Sequence, residues 1–174
     1  MAGGFDVAES QSNCCQDRFL DSRDGGRTAG SRSGVLGRPE GDVAVEVELV
    51  NTAGLGWLPD GTLVVSTLRE PEVHHVDALG NLATTHDLSH LGSTTNDLVV
   101  APDGRACVDL YQLNASGTSG QIGLVEPGGN VRVVATGLAF PNGLGFLPEG
   151  STLVVSETYG SRLLAFPVEP DGIL

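Results

Sequence analysis

Short apolar runs separated by Gly, Pro, Asn and Asp recur along most of the chain. Three segments align without gaps, namely AGLGWLPDG, NDLVVAPDG and NGLGFLPEG, and their starts at Ala53, Asn96 and Asn142 lie 43 and 46 residues apart. In each segment a short strand runs into a Pro-Asp-Gly or Pro-Glu-Gly turn, where Pro presets φ and Gly supplies a positive φ. A second apolar strand follows each turn. The pattern therefore predicts a repeating β-hairpin unit.

Each unit continues with further strands. The first unit has EVHHVDA and NLATTHDL around a Leu79-Gly80 turn, and the second has QIGLVE and VRVVATGL around Gly128-Gly129. The third unit reaches RLLAFPVE, and DVAVEVELV precedes the first unit in the position of an outermost strand. Four antiparallel strands in roughly 45 residues are the proportions of a propeller blade. The predicted fold class is all-β, a partial β-propeller of about three four-stranded blades.

Three blades do not close a ring. A propeller protects its sheet edges and blade faces by radial closure, so an open arc should leave some of both exposed. Either the chain is a fragment of a longer propeller, or it associates with copies of itself through the open propeller edges.

The first 40 residues differ in composition from the rest. Residues 1–38 carry five Arg and five acidic residues without an apolar period, whereas only four Arg face seventeen acidic residues after Pro39. This change predicts a disordered leader over residues 1–40 and a propeller domain over residues 41–174. The leader has two interpretations, a flexible tail or the product of a mis-started or frame-shifted reading frame.

Charge and composition exclude several classes of partner. The net charge is −13, with nine Arg and no Lys, so no basic face is available for nucleic acid or anionic lipid. Three Cys in no recognisable framework indicate a reducing compartment, and no apolar run is long enough to span a membrane. A cytoplasmic protein with neither a nucleic-acid nor a membrane partner is predicted.

Two asparagines occupy the same place in the repeat. Asn96 and Asn142 each lie six residues before the Pro of the turn, where the first unit has Ala53. Because rotation about the channel relates equivalent positions in a propeller, these carboxamides should converge at one end of the axis, together with Asp97. Hard cations such as calcium prefer oxygen ligands of this kind. The alternative is that Asn before Asp or Gly serves turn geometry.

The ordered phrases AGLGWLPDG, NDLVV, PDGRA, FPNGL and VVSETYGSRLLAF resemble the senescence marker protein, gluconolactonase and luciferin-regenerating enzyme family. The resemblance implies a six-bladed propeller that hydrolyses lactones with a divalent cation, commonly calcium. It also implies three metal ligands: a Glu in the first blade, an Asn in a Pro-Asn-Gly segment, and an Asp one blade later.

The resemblance carries only part of this site onto the chain. It assigns Asn142 as a metal ligand and Asn96 and Asp97 as substrate-binding residues. The Glu would lie before residue 42, where Glu9 and Glu40 stand in unsuitable contexts, and the Asp would lie beyond Leu174. No catalytic residue is identifiable, because the family's proton acceptor is that Asp. Thr94 stands where animal members often have Arg, so substrate contacts should differ.

Other polar residues are weaker candidates. His74 and His75 are adjacent on a strand and point to opposite faces, while His86 and His90 are expected near a loop. Asp109 and Glu157 are interpreted as solvated strand ends.

The remaining nucleophiles have no supporting motif. Ser66 and Ser156 lack the GxSxG setting of a serine hydrolase. Cys107 is interpreted as a small core residue.

The predicted function is a calcium-dependent lactone hydrolase, incomplete and weakly active or inactive as this chain. One alternative is a non-catalytic propeller that binds a small molecule or a protein. Trp57 is the sole Trp and no Trp-Asp dipeptide occurs, which argues against the commonest protein-binding propellers. A strictosidine-synthase-like propeller is a further alternative, because it shares the SETYGSRLLAF signal.

Overall fold

A computed structural model describes residues 34–37, 43–112 and 117–174 of the chain, with side chains described from residue 47 onward. Every regular element in these ranges is a β-strand. In chain order, the strands are β1 (Gly34–Gly37), β2 (Val43–Val47), β3 (Thr52–Trp57), β4 (Leu63–Thr67), β5 (Glu72–Val76), β6 (Leu82–Asp87), β7 (Thr94–Val100), β8 (Ala106–Tyr111), β9 (Gly120–Val125), β10 (Val131–Leu138), β11 (Pro141–Phe146), β12 (Thr152–Glu157) and β13 (Arg162–Pro167).

The strands form consecutive antiparallel sheets. Two sheets have four strands each, in the orders β3-β4-β5-β6 and β7-β8-β9-β10, and a third has three, β11-β12-β13. A further pair, β1-β2, precedes them. Each sheet is a meander of sequential neighbours, which is the connectivity of a propeller blade. The prediction of an all-β, partial propeller of about three blades is confirmed.

The three repeated turns have the backbone conformation that their sequences predict. Gly61, Gly104 and Gly150 have φ values of 88°, 86° and 69°, in the left-handed region that favours glycine. In each turn the glycine N–H donates to the carbonyl three residues earlier. These turns fix the register of the first two strands in every blade, and thereby place the beginning of each innermost strand.

The core lies between the blades. One apolar cluster joins the first blade to the second and includes Val64, Val73, Leu98 and Val108. A second cluster joins the second blade to the third through residues that include Leu124 and Leu153. Adjacent sheets therefore pack their facing sides against each other, and adjacent innermost strands are held side by side.

Strand β1 lies inside the predicted leader, at residues 34–37, where it pairs with β2. Residues 1–33 and 38–42 lie outside the described residues. Within the described part of the chain, no helix has the length and apolar character needed to cross a membrane.

Candidate functional site

The first strand of every blade has a β-bulge in which two residues face one residue of the second strand. In the second and third blades the bulge includes predicted site residues. The strand register shifts between Thr52 and Leu55 in β3, between Thr95 and Leu98 in β7, and between Pro141 and Leu144 in β11. We call these the inner-strand bulges. A bulge bends its strand and re-aims the side chains next to it. Asn96 and Asn142 therefore lie within bulged strands.

The two predicted asparagines meet across the boundary between the second and third blades. The Asn96 Nδ2 group donates to Asn142 Oδ1 at 3.0 Å, and both residues are half-buried. We call Asn96, Asn142 and Asp97 the amide cluster. The structure thus brings together the carboxamides that the repeat predicts to converge. Their roles as metal and substrate ligands remain predictions.

Asp97 lies partly buried beside this pair. Its Oδ1 accepts the Leu98 N–H at 2.9 Å, and the Leu144 N–H of β11 also donates to its carboxylate. Burial raises the pKa of Asp97, and these two backbone donors oppose that rise. The carboxylate therefore bridges two innermost strands in addition to any contact with a ligand.

Two residues that sequence reasoning did not assign to the site hold the bulge between Thr95 and Leu98. Asp109 Oδ1 accepts the N–H groups of Asn96 and Asp97 at 2.7 and 3.0 Å. Ser66 Oγ donates to the Asn96 carbonyl at 2.8 Å and accepts the Gly54 N–H at 2.8 Å. The sequence signal that points to Asp109 is its place in the repeat. It interrupts an apolar strand at the position equivalent to Ser66 of the first unit.

The interpretation of Asp109 and Glu157 as solvated strand ends is wrong, since both side chains are buried. Asp109 is enclosed between blades, and its burial raises the pKa of the carboxyl to about 8. Its Oδ2 atom is buried without a hydrogen-bond partner. Glu157 differs: hydrogen bonds from the Arg162 guanidinium and the Ala139 N–H hold its pKa below the ordinary value.

Thr94 is buried, and its hydroxyl donates to the Leu68 carbonyl in the first blade. This hydrogen bond joins the first and second blades, and the side chain is buried away from solvent. A short side chain therefore occupies the position where the family resemblance leads us to expect a long cationic one.

Phe140, which directly precedes Pro141 and Asn142, stacks with two tyrosine rings from other strands and turns. The Phe140 ring lies 4.6 Å from Tyr111 and 4.6 Å from Tyr159, measured between ring centroids. Phe140 has a φ of 56°, a conformation that costs energy for a bulky side chain. The stack therefore fixes the chain just before the Asn142 bulge.

The histidines belong to the first blade and not to the strands of the amide cluster: His74 and His75 lie on β5, His86 on β6, and His90 in the turn after β6. His86 is the next-to-last residue of β6, close to the following loop as predicted, and its ring meets that of His75 edge-on at 5.1 Å. His74 is buried and bonds Thr85. Cys107 is buried, as predicted, and burial raises the pKa of its thiol to about 12.

The cluster fits part of a hard-cation site. Asn142 Oδ1 accepts one hydrogen bond and keeps a second lone pair, and Asp97 adds a carboxylate. Calcium takes six to eight oxygens, and the described residues contain no group of three or more His, Cys, Asp or Glu that could hold a metal ion. The described residues therefore do not fit a complete calcium site.

Comparison with known proteins identifies the fold and family. The profile of the SMP-30/Gluconolactonase/LRE-like region matches residues 29–174. No curated protein matches the chain.

Solved structures of propellers resemble the chain. A gluconolactonase from Xanthomonas campestris is 26% identical with a TM-score of 0.65, over 83% of this chain and 53% of that one. Virginiamycin B lyase from Staphylococcus aureus is 18% identical with a TM-score of 0.55, over 70% and 39%. A luciferin-regenerating enzyme is 14% identical with a TM-score of 0.54, over 69% and 43%.

The chain thus spans about half the length of the gluconolactonase that it resembles. The family profile covers most of the chain, including the three inner-strand bulges and the amide cluster. This chain belongs to the SMP-30/gluconolactonase/LRE-like family.

Proposed function

We propose that the protein is a lactone hydrolase of the gluconolactonase type that depends on a divalent cation, calcium being the best candidate. The observation that carries this proposal is the Asn96–Asn142 contact at adjacent inner-strand bulges of a chain that matches the family. A carboxamide pair with a neighbouring carboxylate offers oxygen ligands to a hard cation and hydrogen bonds to the polar groups of a sugar-derived cyclic ester.

Within this proposal the residues have separate tasks. Asn142 provides one oxygen ligand for the cation, and Asn96 and Asp97 hold the substrate. Asp97 is suited to bonding a hydroxyl, because its pKa is raised by burial while its carboxylate is fixed by two backbone donors.

We further propose that this chain carries only part of the site and is weakly active or inactive by itself. The Glu and Asp ligands implied by the family have no counterpart among its described residues. Well-oriented catalytic groups contribute roughly 7 to 11 kcal/mol toward lowering a barrier, so a site without them should lose most of its rate.

The expected partners follow from the same proposal. A small lactone is the expected ligand, and the net charge of −13 disfavours nucleic acid and anionic membranes. The cytoplasmic location and the self-association through open propeller edges remain predictions.

Calcium-dependent thermal stabilisation tests the proposal. With a dissociation constant near 1 mM, 10 mM calcium would stabilise the fold by about 1.4 kcal/mol, which is a rise of a few degrees in Tm. The Asn142→Ala variant should lose this rise. Asn130→Ala is the matched control, because Asn130 is exposed in a turn and bonds Glu126.

Three outcomes would contradict part or all of the proposal. Equal stabilisation of the Asn142→Ala variant would remove Asn142 as a ligand. If millimolar calcium, magnesium and manganese all left Tm unchanged, the chain would be a propeller that binds without a metal. A dissociation constant tighter than about 10⁻⁵ M, in the range of calcium sensors, would show that the described cluster has more ligands than we assign.

A further inference from the structure

One polar residue faces the inner-strand bulge in each blade. Ser66, Asp109 and Ser156 hold equivalent positions on the second strands, each just after the valine that pairs with the leucine beyond the bulge. The first and third blades use a serine, whereas the second uses an acid. The blade with the acid is also the one whose bulge carries Asn96 and Asp97.

Asp109 accepts one more backbone N–H of its bulge than Ser66 accepts in the first blade. Ser66 Oγ accepts a single bulge N–H, that of Gly54. Asp109 Oδ1 accepts both bulge N–H groups of its blade, at 2.7 and 3.0 Å. Both backbone donors of the bulge are thereby held by one oxygen atom, inside a fully buried environment where such bonds are costly to lose.

The Asn96 backbone is held from both sides. Its N–H is bound by Asp109 and its carbonyl accepts from Ser66 of the first blade. With both peptide groups fixed, the direction of the Asn96 Cα–Cβ bond is fixed, and from there the carboxamide reaches Asn142 in the third blade. One residue thus connects three blades at the amide cluster.

We propose that Asp109 is the positioning residue of the amide cluster. It holds the bulge so that the Asn96 carboxamide meets Asn142 and the Asp97 carboxylate meets β11. Because its side chain is fully buried, Asp109 acts through the backbone of Asn96 and Asp97. The inference rests on the proposed function only in treating the cluster as a ligand site.

Amide hydrogen exchange and the side-chain amide signals of Asn96 and Asn142 test this role in the full ¹⁵N-labelled chain without any ligand. Asp109→Ala should speed exchange of the Asn96 and Asp97 N–H groups by at least about tenfold relative to other β7 amides. It should also move the two carboxamide signals toward free values. Asp109→Asn keeps an acceptor oxygen and should restore both readouts.

The matched control is Cys107→Ala, because Cys107 is buried on the same strand two residues away and bonds neither bulge amide. It should leave both readouts unchanged. If Asp109→Ala does not fold, Asp109→Ser replaces it. A serine oxygen that accepts one N–H should leave one of the two amides exchanging fast.

The proposal is overturned if Asp109→Ala or Asp109→Ser gives wild-type exchange and carboxamide signals, or if Cys107→Ala changes them equally. Failure of the proposed function looks different. Suppose that Asp109→Ala changes both readouts but calcium does not stabilise the wild type. Asp109 is then still the positioning residue, but the cluster is not a cation site.

Discussion

Asn96 is held at three points within the described site. Asp109 binds its N–H, Ser66 binds its carbonyl, and Asn142 binds its carboxamide. At the scale of single residues, the site therefore depends on buried polar groups that have specific partners. Such groups make a site rigid when satisfied and are costly when a partner is removed.

The buried Asp109 carboxyl predicts a pH dependence of stability. Its pKa in the folded state, about 8, lies above the ordinary value of 3.8. Between these values the unfolded chain binds fewer protons than the folded one, so stability falls as pH rises, by up to about 1.4 kcal/mol per pH unit. Relative to wild type, Asp109→Asn should become progressively more stable from pH 5 to pH 8, as measured by urea unfolding.

Other groups also contribute to the pH dependence of stability. The difference in unfolding free energy between wild type and Asp109→Asn isolates the contribution of Asp109. Asp97 faces Asp109 from β7 and its raised pKa gives the same sign, whereas the lowered pKa values of His74, His75 and His86 give the opposite sign. The histidines lie in another blade and contribute equally to wild type and variant. A difference in unfolding free energy that stays constant with pH would show that Asp109 is ionised in the fold.

The positive φ of Phe140 predicts that, at this position, a glycine variant is more stable than an alanine variant. Its φ of 56° costs about 1 to 2 kcal/mol for a residue with a Cβ atom. Phe140→Gly and Phe140→Ala both remove the ring stack, but only glycine relieves the backbone. Phe140→Gly should therefore be more stable than Phe140→Ala by about 1 kcal/mol in chemical denaturation. An alanine variant as stable as the glycine variant would mean that the backbone relaxes when the ring is removed.

At the scale of elements, the innermost strands determine the site because they approach one another closely. A Cβ atom on Gly54 in β3 would lie 2.8 Å from the Asp97 carbonyl carbon and closer still to the Leu98 nitrogen. A side chain there would force β3 away from β7. Glycine at this position therefore lets the first blade pack against the strand that carries Asn96.

Gly54→Ala should destabilise the fold by about 1 to 3 kcal/mol or more, as overpacking against fixed backbone does. Gly145→Ala is the matched control, because Gly145 is on the innermost strand β11 and its Cβ atom would have no neighbour within 4 Å. It should change stability by less than about 1 kcal/mol. Urea unfolding of the two variants measures both values. Similar losses would show that β3 and β7 separate without cost.

The elements were predictable from sequence, and the site was predictable in part. Apolar alternation and the repeated Pro-Asp-Gly turns predict the blade strands, and the shared register of Asn96 and Asn142 predicts their convergence. The bulges were not predictable, because an extra residue in a strand changes pairing without changing residue types. The burial of Asp109 was not predictable, because it depends on three-dimensional packing that a linear pattern does not contain.

At the scale of the whole molecule, the described blades leave apolar side chains in contact with solvent. Leu163 on the edge strand β13 is 70% exposed, and Tyr159 and Ile173 are also exposed. Edge strands with apolar side chains are sites of association between chains.

We expect the chain to associate as its concentration rises. Leu163→Lys should shift light-scattering masses toward the monomer, because a charge on an edge strand opposes pairing. Leu79→Lys is the control, since Leu79 is 86% exposed in a turn and should not affect association. A concentration-independent monomer in the wild type would contradict this prediction.

The central claim is that these residues hold only part of a cation-dependent lactonase site, and an assay of gluconolactone opening by the 174-residue chain tests it most directly. The purified chain, freed of host lactonases, is assayed with millimolar calcium and again with EDTA. We predict that the rate equals the spontaneous rate under both conditions, because the cluster supplies too few ligands and no proton acceptor. A rate well above the spontaneous one that is lost with EDTA would contradict the account and show that the chain assembles a complete site.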